Sequence, residues 1–309
     1  MHFWTHGGIG TKVENPLVMG HEASGVVHEV GTSVTSLQVG DRVSIEPGYP
    51  CRRCKICKAG RYNFCSRMKF AASPPDSHGA LSKFFRMPED FCYKLPDFIG
   101  LDEGVLAEPL AVAVHVCRLA DVKLGQSVVI FGAGTIGLLC AAVSKSMGAS
   151  KIVSVDMNES RLDFARKFAA AGTFRPETGN SAEENSQKLK DIYSLEGGAD
   201  TVIEATGAAP CIETGIQVLR SGGRFVQAGL GQPKVMFPIV ALSEKEVHMV
   251  GSFRYGPGDF DLAMHLLESK QVLAKELITA IEPFERAAHA WERTKKGDGI
   301  KTLIRGSQD

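Results

Sequence analysis

The stretch SVVIFGAGTIGLLCAAVSKSMGASKIVSVD, Ser127–Asp156, decides the fold. Ser127 to Phe131 is a short apolar run with β-branched residues and reads as a buried strand. The turn Gly132-Ala133-Gly134-Thr135-Ile136-Gly137 follows, then a helix from Thr135 to Met147 and a second strand, Ile152 to Val155, that ends at Asp156. In this G-x-G-x-x-G pattern the first glycine allows a tight turn and the second lets backbone approach a pyrophosphate. The third permits close helix packing, with the phosphates at the helix N-terminus. Asp156 follows Gly132 by twenty-four residues (156 − 132), where a carboxylate can bond both ribose hydroxyls and repel a 2′-phosphate. The stretch therefore predicts a dinucleotide site that prefers NAD to NADP. A glycine-rich turn with an ordinary surface Asp is the bland alternative; the agreement of strands, spacing and acid weighs against it.

Downstream, the pattern of apolar strand and amphipathic helix repeats. Strands are expected at Asp200 to Glu204, Gly223 to Ala228 and Val247 to Gly251. Helices are expected at Glu159 to Ala170, Ala182 to Tyr193 and Ile212 to Leu219. Such alternation implies βαβ units, hence a doubly wound parallel sheet with helices on both faces. After Phe253 come two amphipathic helices, near Phe260 to Ser269 and Phe284 to Lys295, and a closing strand, Ile300 to Ile304. The polar segment Glu177 to Asn185 reads as a surface loop.

Upstream, the regime differs. Ala23 to Tyr93 is punctuated by Gly and Pro and reads as short strands: Gly25 to Val30, Arg42 to Ile45, Leu81 to Met87 and Phe91 to Lys94. Leu101 to Leu119 reads as one helix leading into the βαβ region. Inside the β-rich part, four of the eight cysteines, Cys51, Cys54, Cys57 and Cys65, fall within fifteen residues. The spacing C-x2-C-x2-C-x7-C brings four thiolates within reach of one tetrahedral ion, a structural zinc site in a reducing compartment. Lys55, Lys58, Arg52, Arg53 and Arg61 are expected to offset its charge. Cys92, Cys117, Cys140 and Cys211 read as small buried hydrophobes.

Composition narrows the function. Of 309 residues 44% are hydrophobic, enough for one large or two medium domains, and thirty-five basic residues balance thirty-five acidic ones. No basic surplus exists to follow a nucleic acid or grip an anionic membrane. No run approaches the ~20 apolar residues of a membrane span. The opening Met-His-Phe-Trp-Thr-His-Gly-Gly has no secretory pattern, so a cytoplasmic protein is expected.

Two further groups carry chemistry. A neutral imidazole beside a carboxylate, as in Gly20-His21-Glu22, supplies two ligands of the kind a catalytic zinc takes, although alone such a pair is more often ordinary polar packing. Glu108, within Ala107-Glu108-Pro109-Leu110, is either a half-exposed face residue or a buried acid needing a partner such as a metal.

Taken together, these residues resemble the zinc-dependent medium-chain dehydrogenases, in particular their sorbitol and xylitol dehydrogenase branch. The resemblance rests on His2-Phe3-Trp4, Gly20-His21-Glu22-Ala23-Ser24-Gly25, Val39-Gly40-Asp41-Arg42-Val43, Ile45-Glu46-Pro47-Gly48 and the cysteine cluster. Gly60-Arg61-Tyr62-Asn63, Glu108-Pro109-Leu110, Gly132 to Gly137 and Phe253-Arg254-Tyr255 complete it. It implies an α/β protein in three parts. A GroES-like β-barrel catalytic domain with the zinc lobe takes residues 1–112, a Rossmann NAD-binding domain 113–252, and a segment returning to the catalytic domain 253–309.

The resemblance makes His21 and Glu22 ligands of a catalytic zinc and puts Glu108 beside that metal, as ligand or through water. Arg254 and Tyr255 would contact substrate hydroxyls. Phe3 stands where many relatives have tyrosine, so a hydroxyl that would touch the polyol is absent. Gly132, Gly134, Ile136, Gly137, Asp156, Arg161, Ala228, Gly229, Leu230, Ser252 and Phe253 would line the NAD site.

The implied activity is NAD-dependent oxidation of a secondary alcohol of a polyol, such as xylitol or sorbitol, to a ketose, by a homodimer or homotetramer. The family's first zinc ligand belongs to a C-G-S-D motif that falls upstream of Met1. The barrel is therefore expected to be incomplete at its start, with His2 and His6 as conceivable substitute ligands. The alternative is a truncated, catalytically weak or silent NAD-binding protein; a zinc-free reductase of the quinone type fits poorly with His21, Glu22 and the cysteine lobe.

Overall fold

The computed structural model describes residues 13–307, so Phe3, with His2 and His6, lies outside the described residues. The chain forms two compact units. One runs through Ala111 and resumes at Gly256; the other is Val112–Tyr255.

In the first unit, β1 (Ala23–Val26), β2 (Arg42–Ile45), β3 (Gly48–Tyr49), β4 (Lys69–Phe70) and β5 (Cys92–Lys94) are short. β1, β2 and β5 form an antiparallel sheet with β2 in the middle. Val43 and Ile45 of β2 are buried, and Ser44 between them donates its hydroxyl to Gly104 O at 2.8 Å. β3 and β4 pair antiparallel and give the cysteine lobe a small two-stranded base.

The expected strand Leu81–Met87 does not form. Gly79, Ala80 and Leu81 instead donate backbone bonds of 2.7–2.8 Å to Val18, Gly20 and Met19, after which Ser82 Oγ bonds Phe84 O and bends the chain away. That pairing needs the glycines: a Cβ on Gly79 would stand 2.4 Å from the oxygens of Met19 and Gly20. The helix expected over Leu101–Leu119 is two, Leu101–Gly104 and Ala107–Leu119. Pro109 sits in the first turn of the second, where no N–H is required.

The second unit holds β6 (Ser127–Phe131), β7 (Lys151–Val155), β8 (Gly172–Phe174), β9 (Ala199–Glu204), β10 (Leu219–Gln227) and β11 (His248–Gly251). They form one parallel sheet in the order β11-β10-β9-β6-β7-β8. The order reverses between β9 and β7, on either side of β6, which is where doubly wound sheets bind ligands outside the strand ends. Val128, Val129 and Ile130 are fully buried, as are Val202 and Ile203. Both faces are covered, which is why these strands read as unbroken apolar runs. Helices Thr135–Ser146, Glu159–Phe168, Ala182–Tyr193 and Ala209–Val218 connect them. Ser181 and Glu184 form a capping box at the third of these. β10 begins at Leu219, earlier than expected, through an irregularity between Leu219 and Arg224. β8, three residues long, gave no signal of its own.

The returning segment carries helices Asp259–Glu268 and Ala287–Lys295 and a parallel pair, β12 (Ile278–Glu282) and β13 (Lys301–Ile304). No described helix is long and apolar enough to cross a membrane.

Candidate active site and metal centres

The four cysteines converge. Cys54 caps the helical turn Lys55–Lys58, its sulfur accepting the Cys57 N–H at 3.4 Å. Cys65 Sγ accepts the Cys51 N–H at 3.5 Å. Sulfur separations are 3.3 Å for Cys54–Cys57, 3.9 Å for Cys54–Cys65 and 4.0 Å for Cys51–Cys57. A tetrahedral zinc with bonds near 2.3 Å sets its sulfurs roughly 3.8 Å apart, so the donor set fits that ion.

Two of the five residues expected to balance the charge, Arg52 and Arg61, have other partners. Arg67 reaches Cys51 Sγ at 3.3 Å, whereas Arg52 pairs with Asp90 at 2.6 Å and Arg61 lies over the Phe64 ring. The N–H of Arg53, more than any other contact, holds the Cys51 thiol down to about 6, ready to ligate as thiolate. Among the other cysteines Cys117 and Cys140 are buried as expected, but Cys92 and Cys211 are only partly so.

A second cluster gathers around the start of β1. Gly20 has φ +90°, a turn that a side chain would strain, and delivers His21 and Glu22. One ligand atom from each of His21, Glu22 and Glu108 lies within 4.8 Å of the others. Glu108 is 4% exposed, in the first turn of Ala107–Leu119, which decides between its two readings in favour of the buried acid. Glu22 is paired with Lys301 of β13. Burial pushes the Glu22 carboxyl up, but the Lys301 ammonium and then His21 outweigh it and hold it below its ordinary value. Three nitrogen and oxygen donors this close are a donor set of the kind zinc takes.

In the second unit, Gly132 has φ +98°, and a Cβ on Gly137 would stand 1.8 Å from Gly132 O. Nothing lies within 4 Å of a Cβ built on Gly134, so space is open where a phosphate would approach. Gly134 supplies no side-chain cap to the helix Thr135–Ser146, leaving its first N–H groups suited to an anion.

Asp156 has a second task that the sequence did not reveal: it accepts Ala133 N–H and Asn158 N–H, each at 2.8 Å. Each oxygen retains acceptor capacity for a ribose hydroxyl. Arg161 Nε, Ser252 Oγ and Gln227 Oε1 are buried without a protein partner. Leu230 and Phe253 are about half exposed, and Ala228 and Gly229 are tied by their N–H groups to Glu204 O at 2.8 Å.

Arg254 and Tyr255 end this unit. Arg254 has φ +56° and its guanidinium lies 4.7 Å from the Phe253 ring centroid, while Tyr255 is 2% exposed. Sequence reasoning missed Lys301, Glu204 and Gln227. Glu204, an acid closing an apolar strand just before Thr206-Gly207, carried a signal that went unread.

Comparison with known proteins bears on the family and the fold. Residues 1–97 match the alcohol dehydrogenase GroES-like domain family and residues 135–269 the zinc-binding dehydrogenase family. The chain is 55% identical over 310 aligned positions to a probable D-xylulose reductase A of Aspergillus fumigatus, covering 100% of this chain and 86% of that protein. It is 54% identical over 307 positions to D-xylulose reductase A of Aspergillus niger, covering 99% and 85%. Among solved structures, L-idonate 5-dehydrogenase of Escherichia coli superposes with a TM-score of 0.89 at 28% identity, covering 98% of this chain and 86% of that one.

Proposed function

The chain belongs to the zinc-dependent medium-chain dehydrogenase family, and on that premise we propose that it oxidises a polyol of the xylitol and sorbitol class to a ketose with NAD. The observation that carries the proposal is the convergence of His21, Glu22 and Glu108. The likeness to named D-xylulose reductases along the whole chain supports this reading over a silent NAD-binding protein.

When bound, zinc supplies Lewis acidity to the alcohol oxygen and NAD accepts the hydride. His21 and Glu22, with Glu108 as ligand or through water, hold the metal, and Lys301 fixes Glu22 from β13. Arg254 and Tyr255 orient the polyol through its hydroxyls. Asp156 holds the glycine turn and selects NAD by repelling a 2′-phosphate. Cys51, Cys54, Cys57 and Cys65 hold a second, structural zinc. A homodimer or homotetramer in the cytoplasm belongs to the same reading. The exposed apolar side chains of Met236, Ile239 and Val240 support assembly.

The test is NADH formation from xylitol and sorbitol, with metal content measured alongside. The expected result is turnover that His21→Ala abolishes together with the catalytic zinc, while the cysteine zinc stays. Zinc-replete protein that forms no NADH from any such polyol would overturn the proposal.

A further inference from the structure

Glu204 closes β9 and is completely buried, yet none of its contacts among the described residues is a cation. One carboxylate oxygen accepts the N–H of Thr206 at 2.8 Å and the Thr206 hydroxyl. The other accepts the N–H of Gly207 at 2.9 Å and Nε2 of Gln227 at 2.6 Å. Four donors thus satisfy the two oxygens, which is what allows a buried carboxylate to persist without a counter-ion. Gln227 Nε2 also donates to Gly229 O at 2.9 Å; because both of its partners are acceptors, the amide has one orientation only.

The same carboxylate sits where three loops meet at the carboxyl ends of β6, β9 and β10. A Cβ on Gly229 would stand 2.5 Å from Thr206 N and 2.7 Å from the Glu204 carboxylate. A Cβ on Gly207 would stand 2.4 Å from Gly231 N, and one on Gly132 would stand 2.9 Å from Thr206 Cγ2. The loops after β9 and β10 approach backbone to backbone at Gly207, Gly229 and Gly231, and the Thr206 methyl lies against Gly132. Their spacing is set from below, by Glu204.

We infer that Glu204 is a positioning residue for the dinucleotide: its carboxylate, with Gln227, fixes the loops 205–208 and 228–231 in the form that receives the cofactor. The inference rests on the reading of the second unit as the NAD-binding one. The negative charge matters and not only the shape. An amide in place of the carboxylate has one acceptor oxygen and would turn an NH2 group toward two donors. Glu204→Gln therefore keeps the volume and removes the function.

The test compares the parent with Glu204→Gln and Gln227→Leu by NADH fluorescence titration, KM for NAD against kcat, and amide hydrogen exchange of the cofactor-free protein. Glu204→Gln is expected to raise the NADH dissociation constant and KM for NAD by about tenfold or more, the effect of losing one charge-assisted bond. In that variant kcat at saturating NAD changes far less. Gln227→Leu shifts the same quantities in the same direction by less. Exchange accelerates in 205–208 and 228–231 while β6 stays protected.

A purely structural role would lower the melting temperature and leave the folded protein's affinity alone. A dissociation constant within about twofold of the parent's in folded Glu204→Gln would therefore overturn the inference. Should that variant not fold, unchanged affinity in Gln227→Leu would do so. A parent that binds no NADH would overturn the NAD reading and this inference together; a parent that binds it as tightly as both variants overturns the inference alone.

Discussion

The six-stranded sheet and the cysteine lobe are held together by different forces. In the sheet, β6 has Val128, Val129 and Ile130 at 0% exposure, and Phe225 and Val226 of β10 lie equally deep. Removal of apolar surface from water sustains it over a wide range of conditions. The first unit, whose sheets have only two or three strands, has an apolar core too but buries acids with it: among the described residues Asp41, Glu46, Glu108, Asp259 and Glu282 lie below the surface, against Glu204 alone in the second unit. Its order depends on each of these finding a partner, and in the lobe the partner is a metal. The stability of the first unit is therefore expected to depend more on metal supply and pH than that of the second.

The largest expected effect is removal of the lobe's zinc. Structural zinc sites contribute apparent binding energies of order 10 kcal/mol, and that energy is folding energy. Cys54→Ser is expected to release this zinc, lower the melting temperature and open the amides of residues 51–70 to exchange, while β6 and β9 keep their protection. The contrast breaks if zinc content is unchanged in the variant, or if the sheet loses protection equally.

A smaller effect concerns Glu46, 1% exposed, which accepts from the Tyr62 hydroxyl at 2.5 Å and the Tyr93 hydroxyl at 3.0 Å. Burial, the largest influence, pushes its pKa up to about 7; the two tyrosine bonds oppose this and Asp261 and Asp90 add to it. The native state then binds more protons than the unfolded one between pH 4.5 and about 7. Stability from this group is full below that window and lost as pH rises through it. The span corresponds to at most about 3 kcal/mol. Glu46→Gln is expected to flatten the fall in unfolding free energy between the two ends of the window. An identical pH profile in parent and variant would show that the carboxyl titrates normally.

The smallest effect sharpens the other side of the contrast. Asp156→Ser removes a ribose partner and the repulsion of a 2′-phosphate, so the ratio of NAD to NADP affinity is expected to fall about tenfold, or 1.4 kcal/mol. The sheet itself should be untouched, its melting temperature moving little beyond the loss of the Ala133 and Asn158 contacts. Equal affinity of the parent for both cofactors would contradict the role given to Asp156.

This contrast also explains what the sequence could reveal. β6, β7 and β9 were legible to within a residue, because a strand buried on both faces is apolar throughout, whereas the segment 177–185, expected as a loop, lies partly in the helix Ala182–Tyr193 with Asn185 buried. The cysteines were legible because a metal demands fixed spacing. Leu81–Met87 misled because its apolar residues suggested a strand while a serine-mediated bend decided the backbone.

The roles of Glu46 and Lys301 were not legible at all. Their partners lie far off in the chain, 47 positions from Glu46 to Tyr93 and 279 from Glu22 to Lys301. A local pattern carries no trace of such pairings. Asp156 was half legible: spacing gave its place beside the glycine turn, but not the two N–H groups it already holds.

The Lys301–Glu22 pair bears on the order in which the protein matures. Cys51 and Cys65 are 14 positions apart, so a growing chain exposes that whole ligand set almost at once, and the lobe can take its ion while translation continues. Glu22 and Lys301 are separated by 279 positions, so the acid that helps form the other metal site gains its counter-charge only once a distant part of the chain has folded back to it. The cysteine set thus forms from one short segment, whereas the setting of Glu22 is completed only by a pairing across most of the sequence.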